Sequence, residues 1–126
     1  MALASNIHMS LLGKEGLREV ALQSHAKAEY LKRKIAEIPG YRIPYAGATF
    51  NEFAVEAPGP AAALLSRLAA RGILGGIPLS RWDYADSARG VERRDTDGRR
   101  FLVAATEMNT REEMDRLVAA LAEERA

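Results

Sequence analysis

The sequence predicts an α+β fold, an α/β sandwich with the element order α-α-β-α-β-β-α and a three-stranded, mainly antiparallel sheet. Three observations carry this expectation. Apolar residues recur at helical spacing through 2–37, interrupted once by paired glycines. Three short stretches, 50–55, 73–80 and 100–106, have strand composition or strand-like punctuation. Helical periodicity returns after the first and after the third of them, which fits a split βαβ sheet packed on one face by helices.

The first helix spans 2–12, where Leu3, Ile7 and Leu11 share a face at i, i+4 spacing, beside Ala4, His8 and Leu12. No capping residue precedes it, so the chain is expected to begin inside an element. The second helix, 14–37, has an apolar stripe of Leu17, Val20, Ala21, Ser24, Ala28, Leu31 and Ile35. Arg18, Lys27, Lys32 and Lys34 are expected on its outward side, and Pro39-Gly40 ends it. Gly13 and Gly16 each cost about 1 kcal/mol of helix propensity relative to alanine, so a break or bend is expected at 13–16.

"FNEFAV" (50–55) reads as a strand with Phe50 and Phe53 on opposite faces. Pro58-Gly59-Pro60 breaks the chain and seats a helix over 60–71 that turns Ala61, Leu64, Leu65 and Leu68 inward. Gly72 is its stop. "ILGGIPLS" (73–80) is a short, irregular strand whose Gly75-Gly76 implies a bulge or a close backbone approach. Residues 83–98 are charged and aperiodic, a loop closing on the Asp97-Gly98 turn. "RFLVAAT" (100–106) is the clearest strand, expected in the middle of the sheet and antiparallel to both neighbours. Thr110 and Glu113 then form a capping box for a helix with Met114, Leu117, Val118 and Leu121 on its apolar face.

The 126 residues carry eighteen basic and seventeen acidic side chains. That balance gives no reason to expect a nucleic-acid or anionic membrane partner. The absence of cysteine excludes disulfides and thiolate chemistry and suits a cytoplasmic location. No apolar run reaches the ~18 residues of a membrane span. His8 and His25 lie seventeen residues apart with no metal-site spacing, so no metal site is expected. The Asp83, Asp86, Glu92, Asp95 and Asp97 run is interleaved with Arg89, Arg93, Arg94, Arg99 and Arg100 and reads as a solvated loop rather than a calcium site.

"LLGKEGLREV" (11–20) admits two readings, a phosphate cradle or a joint between helices. The phosphate loop GxxxxGK[ST] is missing and a helix, not a strand, precedes Gly13, which favours the joint. Gly75-Gly76 admits a ligand approach or a structural bulge, with the bulge favoured.

"SLLGKEGLREVA" (10–21) and "TEMNTREEMDRLVAAL" (106–121) closely resemble the C-terminal part of glycine dehydrogenase (decarboxylating) subunit 1, the alpha half of the split P-protein of the glycine cleavage system. "FNEFAV", "GILGGIPLSR" (72–81) and "FLVAATE" fall between them in the family's order, and the resemblance is weakest over 40–48 and 83–99. It implies the small C-terminal domain of the aspartate-aminotransferase-like, fold-type I pyridoxal-phosphate enzymes. Residues 1–13 would end a helix from a missing large domain, and 14–126 would form the small domain.

The implied reaction is pyridoxal-phosphate-dependent glycine decarboxylation, with aminomethyl transfer to the lipoyl H-protein. The cofactor lysine would belong to the partner beta subunit, so no catalytic or cofactor-binding residue is assigned to this chain, which is expected to be inactive alone. Arg81, with Gly75 and Gly76, is the one candidate substrate contact. Two other readings stand beside this one. A split βαβ sheet is also the plan of regulatory modules that bind amino acids, with Gly75-Gly76 as the ligand loop. The apolar face of the first helix could also make the chain self-associate.

Overall fold

A computed structural model of the chain describes residues 1–81 and 97–124. The elements are α1 (Ala2–Ala36), β1 (Glu52–Glu56), α2 (Ala61–Ala70), β2 (Ile77–Pro78), β3 (Arg100–Ala104) and α3 (Arg111–Glu123), with a 3-10 turn at Leu79–Arg81. The sheet order is β1-β3-β2, and β3 is antiparallel to both neighbours, as expected from the sequence. Most of the predicted 83–98 loop lies outside the described residues. Its end, Asp97-Gly98, is a turn with Gly98 at φ 65°.

The break predicted at 13–16 falls on Gly13, whose φ of 67° and ψ of −178° interrupt the helical backbone of α1. That conformation is open almost only to glycine. Gly16 stays helical. Beyond the kink the predicted stripe is buried at Ser24, Ala28, Leu31 and Ile35. Before it, Leu3, Ile7 and Leu11 remain 72%, 53% and 82% exposed.

Two predicted outward lysines turn back onto the fold. Lys27 donates to the Glu107 carbonyl, and Lys32 donates to Thr49 Oγ1 at 2.9 Å and pairs with Glu29. Their long stems let the ammonium reach groups that a helical wheel places out of range. Lys14 is exposed at the kink.

α2 begins without a side-chain cap. Its first amide, on Ala61, donates to the Gly98 carbonyl at 2.8 Å, so the turn before β3 satisfies one of the amides that have no partner inside the helix. Ala61, Leu64, Leu65 and Leu68 are all buried, as predicted, and each buried leucine contributes roughly 2 kcal/mol. They meet the inner sheet face, Phe53, Val55, Phe101 and Val103, together with Met114, Leu117, Ala120 and Leu121 of α3.

β1 starts two residues later than the sequence suggests. Phe53 is buried, but Phe50 precedes the strand, is 55% exposed and stacks on His25 with centroids 6.1 Å apart. The stretch after α1 adds an unforeseen bridge, Arg42 to Glu56, with backbone bonds of 3.0 and 2.8 Å.

Tyr41 is buried behind this bridge and its hydroxyl donates to the Leu121 carbonyl at 2.9 Å, tying the post-α1 segment to α3. Burial is the main cause that pushes its pKa from 10.0 up to about 12. A folded-state pKa above the unfolded one stabilises the protein fully below pH 10, and that contribution disappears as pH rises toward 12. Tyr41→Phe should therefore flatten the fall in urea midpoint over that window. It should also lower stability near neutrality by about 1 kcal/mol through the lost hydrogen bond.

Candidate functional site

The glycine segment singled out from the sequence joins α2 to β2. Ile73 N donates to the Leu68 carbonyl, so the chain turns sharply after α2 and runs toward the sheet. Gly75 is buried against Leu65 and Leu68, while the neighbouring Leu74 is 92% exposed. Gly76 has φ 154° and lies against β3. A Cβ there would sit 2.2 Å from the Leu102 carbonyl oxygen. The close approach predicted for this pair is made at Gly76 by the backbone of the central strand. Arg81 ends the 3-10 turn, exposed, at the edge of the described residues.

β2 has two residues where β3 has five, and this mismatch opens a cleft. Ile77 pairs with Leu102, so an in-register continuation would set Gly75 beside Ala104. No backbone hydrogen bond joins those two residues. The N–H of Ala57 donates to Arg99 and that of Ala105 to Asn51, so odd-numbered residues here face the β1 side. By the antiparallel alternation, Leu102 and Ala104 present their backbone groups on the opposite edge, and β2 covers only the first.

The cleft at that edge is about 340 Å³. Its apolar wall is Leu31, Ile73, Val103, Met114 and Leu117. Its polar wall comes from the start of α3 and the turn before it: Asn109, Glu113 and Arg116. Thr110 Oγ1 accepts from the Glu113 amide at 3.1 Å, one half of the predicted capping box. The other half, a bond from the Thr110 amide to the Glu113 carboxylate, is not formed, and Glu113 is among the residues that line the cleft. Asn109 Oδ1 accepts from the Thr106 amide at 2.8 Å, which orients the side chain. Asn109 and Arg116 line the cleft although no binding motif in the sequence marks them. Glu113 and Arg116 are three residues apart within α3 and so share one side of it, while Asn109 lies before the helix.

A second polar cluster lies at the other end of the sheet. Glu56 accepts from Arg42 Nη2 at 2.8 Å and from Arg100 Nε at 3.0 Å, with Arg99 3.7 Å away. The bond from Arg42 is the first cause holding its carboxyl below the ordinary range. Arg100 also reaches the Tyr45 hydroxyl at 3.2 Å. His8 and His25 lie on the exposed side of α1, and among the described residues no group of acidic and histidine side chains could hold a metal.

The fold defined by these elements is that of the small domain of fold-type I pyridoxal-phosphate enzymes. Two solved structures show this at the level of fold alone. A C-DES mutant with glycine covalently linked to its cofactor overlays with a TM-score of 0.60 at 15% identity, covering 84% of this chain and 24% of that one. An aminotransferase from Streptoalloteichus hindustanus gives 0.59 at 18% identity, over 86% of this chain and 32% of that one.

The particular relationship is closer. The crystal structure of an inhibitor-bound glycine decarboxylase, the P-protein of the glycine cleavage system, matches with a TM-score of 0.76 and 35% identity. That match covers 94% of this chain and 24% of that one. The probable glycine dehydrogenase (decarboxylating) subunit 1 of Chlorobaculum tepidum is 42% identical over 121 residues, 96% of this chain and 24% of that protein. Its counterpart in Rhodospirillum centenum is 47% identical over 122 residues, 97% of this chain and 25% of that protein. No family model matches the chain. By sequence and by fold, the chain is thus related to one segment of glycine dehydrogenase (decarboxylating) subunit 1, and it spans about a quarter of the length of the curated relatives it matches.

The cleft does not fit pyridoxal phosphate as a resident cofactor. No lysine lines it, and Lys27 and Lys32 are engaged elsewhere, with Glu107 and with Thr49 and Glu29.

Proposed function

We propose that this chain works as the C-terminal small domain of a glycine decarboxylase alpha subunit. In this reading residues 1–13 are the end of a helix arriving from a large domain, and 14–126 are the small domain. The complete enzyme, in the cytoplasm, decarboxylates glycine on pyridoxal phosphate and passes the aminomethyl group to the lipoyl H-protein. The cofactor is held by a lysine of the beta subunit, and this chain supplies support across the interface. The observation that carries the reading is the match to the P-protein, 35% identical with a TM-score of 0.76 over nearly the whole chain. The purified chain mixed with pyridoxal phosphate and glycine should release no carbon dioxide. Clear turnover by the chain alone would sink the reading.

Arg81, with Gly75 and Gly76 before it, is the proposed substrate-facing segment of that enzyme. In a complete subunit carrying this sequence, Arg81→Met should raise KM for glycine about tenfold with kcat little changed. An unchanged KM would remove Arg81 from that role.

The exposed face of Leu3, Ile7 and Leu11 supports self-association of the isolated chain, with a second copy covering it. Light scattering should find a dimer or larger species. The triple change Leu3→Ser, Ile7→Ser, Leu11→Ser should return a monomer. A parent that is already monomeric at high concentration would count against this.

One observation favours a second reading, an amino-acid-binding module: the cleft beside Gly75 combines an apolar wall with charged groups of both signs.

A further inference from the structure

We infer that the cleft between Gly75 and the start of α3 binds a free α-amino acid with an apolar side chain, held as a zwitterion between Glu113 and Arg116. This deepens the amino-acid-binding reading and does not depend on the glycine decarboxylase one.

Four observations converge on this ligand. The cleft, at about 340 Å³, lies at the lower end of the size range of small-molecule sites. Glu113 and Arg116 are one helical turn apart and both line it, yet neither makes an ion pair or side-chain hydrogen bond among the described residues. Other opposed charges nearby are paired: Arg67 and Arg71 hold Glu123 and Glu124 at 2.7 to 3.3 Å. The Glu113 carboxylate also makes no bond to Thr110 N, the second half of the capping box.

The ligand's groups follow from the walls. Its ammonium meets the Glu113 carboxylate, which accepts, and the Ala104 carbonyl on the strand edge that β2 leaves uncovered. Its carboxylate accepts from the Arg116 guanidinium and from Asn109 Nδ2, whose partner oxygen is already fixed by the Thr106 amide. Its side chain lies on Leu31, Met114 and Leu117. A site with this wall discriminates against glycine, which leaves the apolar surface wet.

The test is a titration of the purified chain with L-leucine, followed by backbone amide shifts. Saturable shifts at Gly72–Gly75, Ala104, Ala105, Glu113 and Arg116 are expected. Glycine, isoamylamine and 4-methylpentanoate, which lack the side chain, the carboxylate and the amine, should each bind about tenfold weaker or less. E113Q and R116M, both at exposed positions on α3, should each weaken leucine binding about tenfold with circular dichroism unchanged. Cleft shifts that survive both variants, or an amine-free analogue binding as well as leucine, would overturn the zwitterion assignment while leaving an amino-acid site standing. No shifts with leucine, methionine or glycine up to about 10 mM would overturn both.

Discussion

Phe101→Ala should lower the stability of the folded chain by about 3–5 kcal/mol, the largest effect expected of any single truncation. Phe101 is 0% exposed and sits in the central strand, opposite Val55 on one side and Pro78 on the other. It belongs to the same buried cluster as the α2 and α3 leucines, so removing its ring leaves a cavity that a strand fixed on both edges closes poorly. For a domain of this size such a loss lowers Tm by roughly 10–25 °C. Leu102→Ala, one residue on and on the opposite sheet face, should cost about 1 kcal/mol, because Leu102 is only half-buried. Urea unfolding of the two variants measures the contrast. Equal losses would mean that the inner face is not the one formed by Phe53, Val55, Phe101 and Val103.

Gly76→Ala should cost about 3 kcal/mol or more, unusual for adding one methyl group. Two effects add. At φ 154° a side chain is strained wherever it stands, and the new Cβ would lie 2.2 Å from the Leu102 carbonyl oxygen and 3.2 Å from the Phe101 ring. The carbonyl belongs to the central strand and cannot yield without opening the β2–β3 pairing. Amide hydrogen exchange at Ile77 and Leu102 should accelerate with the loss of stability. Gly72→Ala makes the control, with φ 77° and open space around its Cβ, and should cost only about 1 kcal/mol. A Gly76→Ala variant as stable as the parent would show that the approach of 76 to β3 is not the constraint on this position.

Much of the fold was legible because it is written in local periods. The stripe Ser24, Ala28, Leu31, Ile35 and the set Ala61, Leu64, Leu65, Leu68 bury as read, since a 3.6-residue repeat fixes which side chains share a face. The Gly13 break, the Gly72 stop and the Thr110 cap are equally local, each a property of one backbone turn. The sheet order was legible one step further, from the constraint that a split βαβ unit places on its third strand. The candidate site was legible only in part. Gly75 and Gly76 could be flagged as a close approach, but whether a ligand or the chain itself approaches is a question of distance in space.

The sequence by itself determined the helices, the strands, their order and the family segment to which the chain is related. The tertiary structure alone decided the length mismatch between β2 and β3 that opens the cleft. It decided that Glu113 leaves half of its capping box unmade and lines that cleft, that Lys27 and Lys32 fold back, and that the Gly98 carbonyl accepts from the first amide of α2. The physical reason is range. A helix face or a cap is set by residues three or four apart, whereas each of these features depends on groups brought together from distant parts of the chain, and only the packed core holds those groups within hydrogen-bonding distance.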